Sequence, residues 1–148
     1  MSKRDALPYE ITHNVRDTCL CLRVQRAARA LARRFDNALR PLELTNGQFS
    51  MMMALNRPKP AHMAEVASLL AMDRTTLTAA LKPLVRRGWV AVAVDPEDER
   101  SRHLTLTTAG HRVLIAAVPI WKREHAAIER LLPDADADRL RADLRVLA

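Results

Sequence analysis

The sequence predicts a mainly α-helical protein with one small β-hairpin, and three observations point there. Only three glycines, at positions 47, 88 and 110, occur in 148 residues, so few loops are expected. Apolar residues recur at steps of three and four through most of the chain, which is the helical period. Between Val90 and Leu106 the step changes to two, the period of a strand. Hydrophobic residues make up 49% of the chain and aromatics only 3%, so a single domain with a core of Leu, Val, Ala, Ile and Met is expected.

From about Thr12 to Arg40, the positions Leu20, Val24, Ala27, Leu31, Phe35 and Ala38 mark one long amphipathic helix, closed by Pro41. Arg26, Arg29 and Arg33 lie between them and read as a solvated face. The stretch LTNGQFSMMMAL, 44–55, opens with a capping box: the Thr45 hydroxyl accepts from the Gln48 amide while the Gln48 side chain reaches back to Thr45. Met51, Met52 and Met53 read as core filler, and Asn56, Pro58 and Pro60 turn the chain into an extended connector.

Met63, Val66, Ala67 and Leu70 form the next apolar stripe. After a turn at Met72 and Asp73, Leu77, Leu81, Leu84 and Val85 form another, so the pair is a helix-turn-helix candidate. Asp73 is placed to cap the second helix by accepting from the amide of Thr75 or Thr76, and Pro83 predicts a kink or break. With the leucines packed, Arg74, Thr75, Thr78, Ala79, Lys82 and Arg86 share the outer face. That face has short side chains near its N-terminal end, and no carboxylate occurs from Arg74 to Val94. Such a face suits a DNA major groove, where Arg74 can fork onto a guanine edge and threonines can meet bases or phosphates.

Val90, Val92 and Val94 alternate with alanines, and Leu104 and Leu106 with His103 and Thr105, which predicts the hairpin. Its tip, DPEDERSR, presents Arg100 and Arg102 outward, where they can reach a minor groove. The acidic residues beside them argue against a simple phosphate clamp and can instead pair with the arginines and fix their direction. Thr107 or Thr108 should then cap a helix running to about Leu132 and bent at Pro119. A last helix carries Leu140, Leu144 and Leu147, with acidic residues at 134, 136 and 138 near its start.

Lys and Arg number 24 against 17 Asp and Glu, a net charge of +7 that attracts phosphate backbones, anionic lipid or acidic ligands. No apolar run approaches the ~18 residues of a membrane span. The N-terminal stretch MSKRDALPYEITHNVRD has no signal-peptide core, so the cytoplasm is the expected compartment. Cys19 and Cys21, two apart on a predicted helix, leave on opposite faces and exclude a disulfide scaffold. His13, His62, His103, His111 and His125 lack same-helix metal spacing, so neither metal nor cofactor is expected. An enzyme would need a phosphate loop, nucleophile elbow or carboxylate pair, and single-strand binding would need more aromatics.

The order of these pieces resembles the MarR family of winged-helix transcriptional regulators over nearly the whole chain. The resemblance is carried by Leu44 and Thr45, by the run Arg74 to Thr78 in a helix ending at Arg87 and Gly88, and by Asp98-Glu99-Arg100-Ser101 leading to Leu104, Thr107 and Gly110. It implies a winged helix-turn-helix over 45–107 and a helical dimerisation region over 1–44 and 108–148. The expected partners are a second copy of the chain and double-stranded DNA with a pseudo-palindromic site. Arg74, Thr75, Thr76 and Thr78 become major-groove readers, supported by Lys82 and Arg86; Arg100 and Arg102 belong to the wing, and Asp98 orients Arg100. The chain departs from the family at Ala61 to Met63, where no clear polar cap opens the third helix.

The resemblance further implies a repressor released by a small-molecule effector, held between the dimer helices and the winged domain. Cys19, Met52 and Trp121 are the lining candidates, each with ordinary core as the alternative, and Arg16 or Arg23 would suit an anionic effector. Cys21 is similar in position to the reactive cysteine of the organic-peroxide-sensing branch, which makes a redox regulator an alternative. That branch supports its thiolate with tyrosines, where this chain has Gln25 and Phe35. A winged-helix protein-interaction module that reads no DNA is the remaining alternative.

Overall fold

The computed structural model describes residues 6–148, and over them the chain forms seven α-helices and a three-stranded antiparallel sheet. The start of the stretch read as lacking a signal peptide, and the first five residues of the expected dimerisation region, lie outside the described residues.

The single helix expected from Thr12 to Arg40 is two helices, α1 (Tyr9–Thr18) and α2 (Leu20–Leu39). Between them Cys19 takes an extended backbone, with φ −67° and ψ 112°. Neither glycine nor proline marks the break; side chains stabilise it instead. The Thr18 hydroxyl donates to the Asn14 carbonyl at 2.7 Å, and Cys19 Sγ accepts from the Leu22 amide at 3.5 Å and so caps α2. After α2, Arg40–Leu42 make a short 3-10 turn around Pro41.

The capping box of α3 (Asn46–Leu55) is present: Thr45 Oγ1 accepts from the Gln48 amide at 3.2 Å and Gln48 Oε1 from the Thr45 amide at 3.1 Å. A second latch joins α2 to α3. Asp36 Oδ1 accepts from the backbone amide of Asn46 at 2.7 Å and from its Nδ2 at 2.8 Å, and these donors hold the Asp36 carboxyl below its ordinary value.

A two-residue strand β1 (Ala61–His62) runs directly into α4 (Met63–Leu69), with Ala61 opposite Leu104 and His62 opposite His103. His62 is therefore the residue that opens α4, and Glu65 Oε2 accepts its amide at 3.4 Å. The second helix of the pair, α5 (Arg74–Arg86), continues through Pro83 without a break. Proline removes the donor that would meet the Ala79 carbonyl four residues back and its ring crowds that carbonyl, but Ala79 is exposed, so the carbonyl can tilt outward and be served by water.

Strands β2 (Val90–Asp95) and β3 (Asp98–Leu106) form the predicted hairpin, in sheet order β1-β3-β2. Only the root of the hairpin has a buried face. Val90 and Leu104 are buried, whereas Val92 and Val94 are 44% and 51% exposed, because the hairpin projects beyond the helices that could cover it. At the hinge of this root, Thr107 caps α6 (Thr108–Glu129) by accepting from the Gly110 amide at 3.0 Å. Gly110 faces the Trp89 backbone so closely that a Cβ there would overlap the Trp89 carbonyl oxygen. α6 passes Pro119 uninterrupted and ends at Glu129, before the expected Leu132. Asp136 then caps α7 (Ala137–Leu147), accepting from the Arg139 amide at 3.0 Å.

Leu39, Met51, Met52, Val66, Leu77, Leu84 and Leu104 are the fully buried centre of the fold, so the core lies under the middle of the chain. The terminal helices contribute little to it. No residue of α1 is buried, Leu39 is the only one in α2, and Ala137 the only one in α7.

Candidate nucleic-acid interface

The inward face of α5 carries Leu77, Leu81 and Leu84, all buried, which fixes what the opposite face presents. Asp73 sets the N-terminal end of that helix. Its Oδ1 accepts from the Thr76 amide at 2.7 Å and its Oδ2 from the Thr76 hydroxyl at 2.9 Å, and these two donors hold the carboxyl below its ordinary value. The Thr76 proton is thus committed to the cap. Thr78 donates its own to the Arg74 carbonyl at 2.7 Å, so both hydroxyls face outward chiefly as acceptors.

Arg74, Thr75, Thr78, Ala79 and Lys82 line one shallow concavity of about 310 Å³ along the outer face of α5. On its flank a larger groove of about 590 Å³ runs between α5 and the wing strands. Leu81, Val85, Val92 and Leu104 form an apolar floor there, and Arg74, Lys82, Arg86 and Arg102 stand around it. Six of the expected DNA contacts, Arg74, Thr75, Thr78, Lys82, Arg86 and Arg102, are therefore gathered about one helix.

The wing tip differs in detail from the expectation. Asp98 meets Arg100 through the backbone, its Oδ1 accepting from the Arg100 amide at 3.0 Å, and no Asp98–Arg100 ion pair occurs among the described residues. The carboxylate thereby shapes the turn that carries the exposed Arg100 side chain. Arg102 Nη1 donates to the carbonyls of Glu99 and Ser101, at 3.0 and 3.1 Å, which draws it toward its own strand.

The sequence profile of the MarR family matches residues 42–101. The solved structure of the M. tuberculosis transcriptional regulator MosR in complex with DNA is similar at 36% identity, covering 87% of this chain and 92% of that one, with a TM-score of 0.80. The chain belongs to the MarR family. A second similar structure is the transcriptional repressor CouR bound to a 23-mer DNA duplex, at 27% identity, covering 90% of this chain and 94% of that one, TM-score 0.80. The transcriptional regulator TtmR of Methylorubrum extorquens is 36% identical over 94 residues, which are 64% of this chain and 48% of TtmR. The chain spans about half the length of that curated relative. MosR and TtmR are described as transcriptional regulators and CouR as a transcriptional repressor. Among the described residues no helix is long and apolar enough to cross a membrane.

The effector candidates of this MarR-family chain are dispersed in a single copy. Met52 is fully buried in the core. Trp121 stacks between Phe49 and His125 and borders a cleft of about 480 Å³ with Phe49, Met53, Leu70 and Val118. Arg16, Cys19, Arg23 and Met52 are not in its lining. Arg16 pairs with Asp17 at 2.6 Å, Arg23 donates to the Asp17 carbonyl at 3.3 Å, and Cys19 is half-buried at the α1–α2 break. Cys21 is exposed, and Gln25 Nε2 donates to its Sγ at 3.1 Å.

Two functional-looking groups escape sequence reading. Arg87 stacks on Trp89 with its Cζ 3.6 Å from the ring centre and donates to the Glu43 carbonyl at 2.5 Å, bracing α5 against the α2–α3 connection. The second is a cluster at the wing root. Asp95, a buried carboxylate, places Oδ2 3.2 Å from His103 Nε2 and 3.8 Å from His62 Nδ1. Same-helix spacing cannot reveal this trio, because its members come from three strands. Only the register that sets His62 opposite His103, and His103 opposite Ala93, brings them together.

Proposed function

We propose that this protein is a cytoplasmic regulator that binds a pseudo-palindromic double-stranded DNA site as a homodimer, represses from it and is released by a small-molecule effector. The single observation that carries the DNA reading is the cationic wall of Arg74, Lys82, Arg86 and Arg102 around one helix-and-wing groove, on a face without carboxylates. Arg74 and the threonines meet base edges, Lys82 and Arg86 meet phosphates, and Arg100 extends to the minor groove. The MosR and CouR complexes with DNA support this reading, and CouR's description as a repressor supports the sign of control.

The dimer reading rests on uncovered apolar surface at the chain ends. Ile11, Val15, Leu20, Val24, Leu140 and Leu144 are all more than 40% exposed in one copy, and amphipathic helices of this kind are buried by a partner. On that basis 1–44 and 108–148 form the dimerisation region and 45–107 the DNA-binding region. Two α5 helices related by a two-fold axis meet half-sites about 34–36 Å apart. The Trp121 cleft, about 480 Å³, is of the size that takes a drug-sized molecule, and completion by a second copy would bring the terminal helices to it.

Retardation of duplex DNA at several salt concentrations tests the reading. The expected result is tight, sequence-selective binding that weakens steeply with salt. Failure to retard any genomic fragment would favour the protein-interaction module instead. A redox reading is favoured by one observation, the exposed Cys21 sulfur held by Gln25. If it holds, Cys21→Ser protein keeps its DNA through peroxide treatment; release as in the parent would exclude this residue as the sensor.

A further inference from the structure

We propose that His62, Asp95 and His103 bind a divalent transition-metal ion at the root of the wing. Each strand of the sheet supplies one donor: His62 from the end of β1, Asp95 from the end of β2 and His103 from the middle of β3. One ligand atom from each lies within 4.8 Å of the others. Zinc held at about 2.0–2.1 Å by nitrogen and oxygen donors sets tetrahedral ligands about 3.3 Å apart. The carboxylate–imidazole separations of 3.2 and 3.8 Å already lie near that distance. The remaining closure falls to the ring of His62, whose side chain is 43% exposed and is met by Ser101 Oγ at 3.4 Å.

The charge balance of the cluster also calls for a cation. Asp95 Oδ1 is occupied by the Glu97 amide at 2.9 Å, whereas Oδ2 faces only the two imidazoles. Among the described residues no lysine or arginine pairs with Asp95, although its side chain is only 9% exposed. A nearly buried carboxylate without a fixed positive partner is costly, and an ion shared with the two imidazoles supplies that partner. Two nitrogen donors favour zinc, nickel, cobalt or copper over magnesium and calcium, which take oxygen. The exposed edge of His62 leaves a path from solvent and a position for water as the fourth ligand.

Such an ion ties β1, and with it the start of α4, to both strands of the wing. It would therefore stiffen the hairpin whether or not DNA is present. The test is equilibrium dialysis of the metal-free full chain against zinc, with hydrogen exchange of β2 and β3 recorded on the same samples. The expected result is one zinc per chain at micromolar free ion, slower exchange in the hairpin on loading, and loss of affinity by at least about tenfold in His62→Gln and His103→Gln. His125→Gln and Cys21→Ser should bind as the parent does. His62 is exposed enough that its glutamine variant keeps the fold, which circular dichroism verifies, so that variant decides. Undiminished zinc binding by folded His62→Gln, or no zinc on the parent at micromolar ion, would overturn the proposal.

Discussion

Replacing Gly110 by alanine sets two effects of opposite sign against each other. Gly110 lies in the first turn of α6, and exchanging a helical glycine for alanine ordinarily stabilises by up to about 1 kcal/mol. Here the new methyl would overlap the Trp89 carbonyl oxygen and stand 3.0 Å from its carbon. That carbonyl cannot easily yield, since it accepts from the Thr107 amide at 3.0 Å while the Trp89 amide donates to Leu84 at 3.0 Å. Overpacking against fixed atoms costs about 1–3 kcal/mol, and losing the Thr107 bond adds about 1 kcal/mol. The overlap wins, with a net destabilisation of about 1–3 kcal/mol and a fall in Tm of about 3–10 °C. Gly47, in the first turn of α3, is the internal control, because a Cβ there meets nothing within 4 Å. Gly47→Ala should be neutral or stabilise by up to about 1 kcal/mol. Urea and thermal unfolding at one fixed protein concentration compare the two. A Gly110→Ala protein as stable as Gly47→Ala would refute the close packing of α6 on the wing root.

Arg74→Ala should lower affinity for the preferred duplex by about 1–3 kcal/mol and relax sequence preference, whereas Arg86→Ala should weaken all duplexes alike and flatten the salt slope. Equal losses on specific and random duplex for both variants would contradict that division of roles. Leu144→Asp, on the exposed apolar face of α7, should raise the monomer fraction in sedimentation and weaken DNA binding with it, while leaving the helical circular dichroism of the chain unchanged. Asp36 has a folded-state carboxyl below its ordinary value of 3.8, so the stability it contributes is complete above that value and is lost as pH falls through the lower, folded one. Asp36→Ala should therefore be less stable than the parent at neutral pH, with the gap closing below about pH 4 in unfolding experiments.

Local signals proved legible where one residue controls its own neighbours. The Thr45–Gln48 capping box, the Asp73 cap and the Thr107 cap each follow from a side chain reaching an amide three residues on. The outer face of α5 follows from its leucines for the same reason: helical spacing alone assigns its sides. What escaped depends on partners distant in sequence or on bonds that replace the usual ones. At Cys19 the helix breaks because Thr18 and Cys19 side chains take over terminal bonds, with no glycine or proline to announce it. Pro83 does not interrupt α5 because the carbonyl it deprives is on the solvent side. Alternation at Val92 and Val94 identifies a strand but not whether anything covers it. The two-residue β1 has no period at all, so neither it nor the cluster of His62, Asp95 and His103 could be read before the sheet register was known.

The central claim, two copies presenting α5 and the wing to one duplex, is tested most directly by the mass of the complex in solution. Sedimentation of the protein with a duplex recovered by selection from genomic fragments gives the number of chains bound. Two chains per duplex, reduced to weak binding when one half-site is scrambled, is the result predicted here. A single chain per duplex, or binding indifferent to the scrambled half, would contradict it.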